Sequence, residues 1–241
     1  MLAGARKLLA QAIAGGGART SAEIPLEDRL ERAGAAWRHE MAPLTNELGV
    51  VLLPDYAILP ARCVRNCRVF PLREDILEQM PKGGVIAEVG VQAGEFSQAI
   101  LDICRPRTLE LIDIDMTRFR VAERFAAEVA AGTVRVHEGD SAATMASFPD
   151  GHFDVVYIDA DHSYEGVKRD IAAAHAKVKP GGHLLFNDYT FWSSGECIPY
   201  GVMQGVNALC IEHGWEIAFY AFGYYGYADV ALRRIADFPE G

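Results

Sequence analysis

From about residue 80 onward the chain alternates apolar runs of strand length with stretches of helical periodicity, and this alternation limits the folds open to it more than any other feature. "GVIAEVGV" reads as a strand, "GEFSQAILDIC" as a helix and "RTLELIDID" as a strand again. "RFRVAERFAAEVAAG" follows as one amphipathic helix closed by Gly132, then "TVRVHEGD" as a strand and "SAATMASFP" as a short helix. "FDVVYIDAD", a helix from Tyr164 to Val178, the turn "KPGG" and the strand "HLLFNDY" continue the series. The helix "GVMQGVNALCIEHG" and two strands, "WEIAFYAF" and "YADVALRR", joined through "GYYG", close it. Strands that are apolar throughout are buried on both faces, so the pattern predicts an α/β, doubly wound, mostly parallel sheet with an antiparallel last strand.

The first 80 residues read differently. In "LEDRLERAGAAWRHEM" the residues Leu26, Leu30, Ala33 and Trp37 share one helical face, and Pro-bearing loops separate such segments. The expected division is therefore a helical amino-terminal extension over 1–80, a cap on the substrate side, followed by a domain over 81–241. The chain has 241 residues, half of them hydrophobic, which suffices for one sizeable core with an appended segment. Its formal net charge of −10 argues against nucleic acid as the main partner, because phosphate neutralisation needs a basic face. Five cysteines in no dense spacing fit a reducing compartment; Cys63 and Cys67 lack the second pair that a zinc set requires. The opening "MLAGARKLLAQAIAGGGART" resembles a signal peptide only faintly, its apolar run being interrupted by Gln11, and it is expected to form a frayed helix or a loose arm. No segment reaches the length of a membrane span, and cytoplasm is the default expectation.

Ligands of such sheets bind beyond the carboxyl ends of the strands, where strand order reverses. At those ends the sequence places acids: Glu88 beside the turn carrying Gly90 and Gly94, then Asp113, then Asp140. The pattern is E-x-G-x-x-x-G, with Gln92 where a dinucleotide fingerprint wants glycine, so no pyrophosphate cradle is predicted.

In their order and spacing, "AEVGVQAGEFS", "LIDID", "HEGDSAATM", "FDVVYIDADHSYEGVKRDI" and "KPGGHLLFNDY" resemble the class I S-adenosylmethionine-dependent methyltransferases over residues 82–235. The stretch "IDADHSYEGVKRDI" followed by "PGG" resembles the branch containing metal-dependent small-molecule and sugar O-methyltransferases. The resemblance implies a seven-stranded Rossmann-like sheet, S-adenosylmethionine as cofactor and a small-molecule or sugar acceptor; it leaves a homo-oligomer open. By the same resemblance Asp113 takes the ribose diol, with Asp115 as substitute. Asp140, assisted by Ser141, takes the adenine amine, and Glu88 lies near the methionine end. Gly90 and Gly94 permit close backbone approach. Two plainer roles compete: the glycines could serve strand-to-helix packing, and Asp140 could cap the helix that begins at Ser141.

The metal-dependent relatives imply a divalent cation, magnesium, at Asp159, Asn187 and Asp188, an oxygen-rich set suited to a hard ion. His162 is the expected base that deprotonates an acceptor hydroxyl, with Asp161 as alternative base or orienting group. His175 and Lys168 are read as surface. The segment "TFWSSGECIPYGV", residues 190–202, is a candidate substrate lid walled by Trp192 and Tyr200. Arg62, Arg65, Arg68 and Arg73 could receive an anionic group, although pairing with the protein's own acids is the stronger expectation. Two other functions compete with methyl transfer: an oxidative enzyme on the same scaffold, and a catalytically silent binding module.

Overall fold

The computed structural model describes residues 24–47, 57–122, 124–223, 226–236 and 238. The expected amino-terminal arm and the centre of the "GYYG" turn lie outside the described residues. Contacts divide the chain into two units, Met1–Pro54 and Asp55–Gly241. Within the first, one helix is described, α1 (Leu26–Glu47), on which Leu26, Leu30 and Trp37 are exposed.

The second unit is built on an eight-stranded sheet. Its strands are β1 (Arg68–Phe70), β2 (Val85–Val89), β3 (Thr108–Asp113), β4 (Val134–Glu138), β5 (Phe153–Ile158), β6 (Val178–Phe186), β9 (Trp215–Phe222) and β10 (Ala228–Arg234); β7 (Trp192–Ser193) and β8 (Ile198–Pro199) form a separate hairpin. The order is β1-β9-β10-β6-β5-β2-β3-β4. From β6 to β4 every pairing is parallel, and β10 runs antiparallel to both β6 and β9. Strand order thus reverses between β2 and β5, as a doubly wound sheet requires.

The two-residue period of the strands divides the core into two layers. Val85, Ala87 and Val89 of β2 point to one face, with Val156, Ile158 and Leu184. Covering that face are α6 (Ser141–Ala146), α7 (Tyr164–Ala174) and α8 (Val202–Glu212), through Met145, Val167, Ile171, Val206 and Leu209. Ile86, Leu111, Val155 and Leu185 point to the other face. There α2 (Arg73–Glu78) and α3 (Glu95–Cys104) bury Ile76, Leu77, Phe96 and Ile100.

Two sequence expectations change. The sheet gains an eighth strand, β1, which pairs parallel with β9 and so folds with the sheet although it precedes residue 80. The helix expected over "RFRVAERFAAEVAAG" is broken into α4 (Thr117–Ala122) and α5 (Ala126–Ala130). The break lets Phe125 turn inward, 2% exposed, and stack on Phe119 with ring centroids 5.4 Å apart. Burying that aromatic surface outweighs the hydrogen bonds one continuous helix would add. Among the described residues, no helix is long and apolar enough to cross a membrane.

Candidate active site

Backbone crossings at the switch point draw the carboxyl ends of four strands together. The Asp159 amide donates to Val89 O (2.7 Å), the Gly90 amide to Ile112 O (2.9 Å), and the Asn187 amide to Ile158 O (3.0 Å). Gly90 has φ +88°, and a Cβ there would stand 1.9 Å from the Asp159 carbonyl oxygen. No side chain fits. Gly94 has φ +79°, and its missing Cβ makes room for the Phe125 ring. Gly94 thus makes room for rings at and beside a helix, whereas Gly90 lets two strand ends approach rather than a strand and a helix. Gln92 is exposed, with φ +51°.

Asp113 spans the turn. Its Oδ2 accepts from the amides of Val91 (2.7 Å) and Gln92 (3.0 Å), and its Oδ1 from Asp115 (3.0 Å). With about four lone-pair sites on a carboxylate, three of them taken, Oδ1 keeps capacity for one further donor. Asp115 caps the following turn through Thr117 N (2.8 Å). Between the two acids, Ile114 is 73% exposed, an apolar surface that the sequence reading missed. Asp140 Oδ1 accepts from Ala143 N (2.8 Å) and caps α6, which leaves its second oxygen outside the cap. Ser141 donates to Asp170 (2.6 Å). Glu88 is buried, and its carboxyl accepts from Ser97 Oγ at 2.5 Å; desolvation pushes its pKa up to about 8.

The second cluster follows β5 and β6. Asp159, His162, Asn187 and Asp188 come together there, with His162 Nε2 at 3.4 Å from Asp159 Oδ1 and 3.8 Å from Asp188 Oδ2. That nitrogen is buried without a well-aligned hydrogen bond. Burial opposes the imidazolium, but the two carboxylates outweigh it and hold the His162 pKa above the ordinary histidine range. Burial raises Asp188 to about 6, an effect which His162 opposes and the neighbouring Asp159 reinforces. Asp188 also sits at φ +54°, a left-handed conformation that costs about 1 kcal/mol or more outside glycine. Tyr200, 7% exposed, stacks on the His162 ring at 4.5 Å and 8°. Asp161 is exposed and accepts from Ser163 N (2.9 Å) at the start of α7.

Sequence reasoning missed a buried chain of polar groups behind this cluster. Arg73 Nη1 donates to Tyr157 Oη (3.3 Å), Tyr157 to Asp229 Oδ2 (3.1 Å), and Asn187 Nδ2 to Asp229 Oδ1 (3.3 Å). Desolvation raises Asp229 to about 7, against the opposing charge of Arg73. The available signal was an acid inside the apolar run "YADVALRR". The four arginines are not one cluster: Arg73 faces this chain of acids, Arg68 lies over the rings of Phe70 and Phe219, and Arg62 and Arg65 line a separate cavity.

Two neighbouring acids, a glycine-bounded turn and a histidine without an aligned hydrogen bond thus meet at the switch point. Residues 87–189 match the family model of a methyltransferase domain. The match covers under half of the chain, from β2 to just past β6. No curated protein matches the sequence. The M1A22 tRNA methyltransferase TrmK of B. subtilis is similar in structure, with a TM-score of 0.50, 15% identity, and coverage of 70% of this chain and 67% of that one. A SAM-dependent methyltransferase from Aquifex aeolicus gives 0.50 and 15%, covering 66% and 87%. PhzM, a pyocyanin biosynthetic protein, gives 0.49 and 15%, covering 64% and 51%, so the chain spans about half its length. At such identities the likeness is one of fold, and the second unit has the Rossmann-like fold that the alternating sequence predicts.

The second cluster offers oxygen ligands. Among the described residues no group of three His, Cys, Asp or Glu side chains is arranged to hold a metal. The candidate set is instead two carboxylates and an amide. Asp159 and Asp188 both lie within 4 Å of one point, now the imidazole nitrogen, and Asp188 is destabilised as an anion there. That chemistry fits a divalent cation.

Proposed function

We propose that the chain is an S-adenosylmethionine-dependent O-methyltransferase acting on a hydroxyl of a small molecule or glycan. The observation that carries this reading is His162 Nε2, buried between Asp159 and Asp188 with no aligned partner, at the strand ends where a ligand enters. An acceptor hydroxyl would complete it.

S-adenosylmethionine supplies an electrophilic methyl carbon on a sulfonium. Asp113 Oδ1 receives a ribose hydroxyl, exposed Ile114 offers an apolar face to the adenine, and the free oxygen of Asp140 receives its amine. Glu88 lies beneath the turn as a buried acid facing the methionine end. His162 takes the proton of the acceptor hydroxyl, its ring held flat by Tyr200 and its charge, once protonated, stabilised by Asp159 and Asp188. Asp159, Asp188 and the amide oxygen of Asn187 are the groups that would hold magnesium, which would lower the acceptor's pKa. The hairpin β7–β8 closes over the acceptor side, with Tyr200 as one wall. The acidic net charge favours a small acceptor over RNA.

The test is titration with S-adenosylmethionine by calorimetry, followed by methyl transfer to a panel of aliphatic hydroxyls and phenols. Asp113→Ala is expected to weaken cofactor binding by about 2 kcal/mol. His162→Ala is expected to lose roughly 10²-fold to 10⁴-fold in turnover at unchanged cofactor affinity. Excess chelator should abolish turnover without releasing the cofactor. Cofactor binding with no turnover on any acceptor would instead mark a binding module, and full activity in chelator would remove the metal.

A further inference from the structure

We propose that the cavity at the opposite end of the sheet is a second ligand site, and that it takes a small organic molecule bearing a phosphate group. The cavity has a volume of about 530 Å³ and is lined by Arg62, Arg65, Asn66, Glu216, Arg233, Arg234, Ile235 and Ala236. Its place follows from strand register. Arg233 and Arg234 end β10 opposite Glu216 and Trp215 at the start of β9, and β10 pairs with β6 so that Val230 faces Phe186 and Leu232 faces Leu184. The arginines therefore follow β10 toward the amino-terminal half of β6, away from Asn187 and Asp188.

Four guanidinium groups around one hollow are unexpected in a chain of net charge −10. Among the described residues Glu216 is the single carboxylate in the lining, and both its oxygens are taken, Oε1 by Arg233 Nε (2.7 Å) and Oε2 by Asn66 (3.2 Å). Among the described residues, Arg62, Arg65 and Arg234 form no ion pair. Arg62 rests against the Phe238 ring at 5.9 Å. Arg234 is fixed by a hydrogen bond to His175 O (2.8 Å) and by the Trp215 ring at 4.7 Å, and its partial burial lowers its pKa. Among the described residues, positive charge here is thus concentrated around one carboxylate, and Arg233 and Arg234 are held in place before any ligand arrives.

The chemistry selects the ligand class. Planar guanidinium forks bind the oxygens of a phosphate group bidentately, and several of them match a dianion better than a monoanionic carboxylate. Ile235 and Ala236 add an apolar wall that suits an organic body attached to the phosphate. The volume lies within the range of roughly 300–1,000 Å³ common to small-molecule sites. A nucleic-acid backbone needs an extended basic stripe, whereas these four arginines line one half-open hollow.

Phosphate binding can be read by calorimetry at constant ionic strength, using inorganic phosphate, phenyl phosphate and phenol as probes. Saturable binding of both phosphates, tighter for phenyl phosphate, with none for phenol, is expected. The double variant Arg62→Ala/Arg65→Ala should weaken phenyl phosphate at least 10-fold, while its melting temperature and its S-adenosylmethionine affinity stay those of the parent. Both residues are exposed, so the melting temperature separates loss of folding from loss of binding, and Arg65→Lys should recover part of the affinity. Absence of saturable phosphate binding, or equal binding by the double variant, overturns the proposal. So does a single-stranded oligonucleotide that displaces phenyl phosphate with higher affinity, since the face would then read a polymer.

Discussion

At the scale of single residues, Gly90 shows how strictly the switch point is built. Its positive φ and the carbonyl oxygen of Asp159, 1.9 Å from where a Cβ would stand, act together. Gly90→Ala is expected to cost about 3 kcal/mol or more, since backbone strain adds to displacement of a neighbouring strand end; a urea midpoint unchanged from the parent would refute that. The glycines and acids of the site were legible because each stands beside a strand whose apolar run marks its end. Arg73 and Asp229 were not. They meet the site through Tyr157 and Asn187, contacts between residues far apart in sequence, and only the acid embedded in an apolar strand hinted at one of them. Asp140 shows the converse: the capping role was legible from Ser141 and its helix, and the structure contains that cap.

At the scale of elements, the central strands could be read because burial on both faces leaves continuous apolar runs. β1 could not, being three residues long with two of them exposed at the sheet's edge. The break between α4 and α5 was equally hidden, because periodicity alone cannot register that Phe125 gains more by packing on Phe119 than by staying in a helix. One carboxylate holds three central strands at their amino ends. Asp154 on β5 accepts from the Val85 amide of β2 (2.7 Å) and from Lys179 of β6 (2.8 Å). Asp154→Ala should lower stability by about 1–3 kcal/mol, by stranding the Val85 N–H of a largely buried residue and unpairing Lys179. Chemical denaturation checks this, and Lys179→Met should lose less, because the amide keeps its acceptor.

At the scale of the whole molecule, buried acids set the dependence of stability on pH. Glu88, Asp188 and Asp229 have folded pKa values of about 8, 6 and 7, all above their unfolded values, with desolvation the leading cause. The folded chain therefore holds more protons than the unfolded one between about pH 4 and 8, and stability falls as pH rises through that window. His183 acts oppositely: burial lowers it to about 4, so its contribution is present above the unfolded value of 6.5 and is lost as pH falls toward 4. Thermal stability without ligand is expected to peak on the mildly acidic side, and Glu88→Gln should flatten the decline from pH 5 to 8 by roughly a few kcal/mol. A parent protein equally stable at pH 5 and pH 8 would contradict it. The eighth strand has a bearing on biosynthesis as well. Arg68 pairs with Phe219, Cys63 lies against Cys210, and Asn207 donates to Ala57 O, so the segment from 57 to 70 leaves the ribosome long before its partners exist. At about 5–20 residues per second the wait is on the order of ten seconds. During that interval a nascent chain carries the unpaired edge of β1 and the apolar side chains beside it, which makes this stretch a natural place for a chaperone to hold.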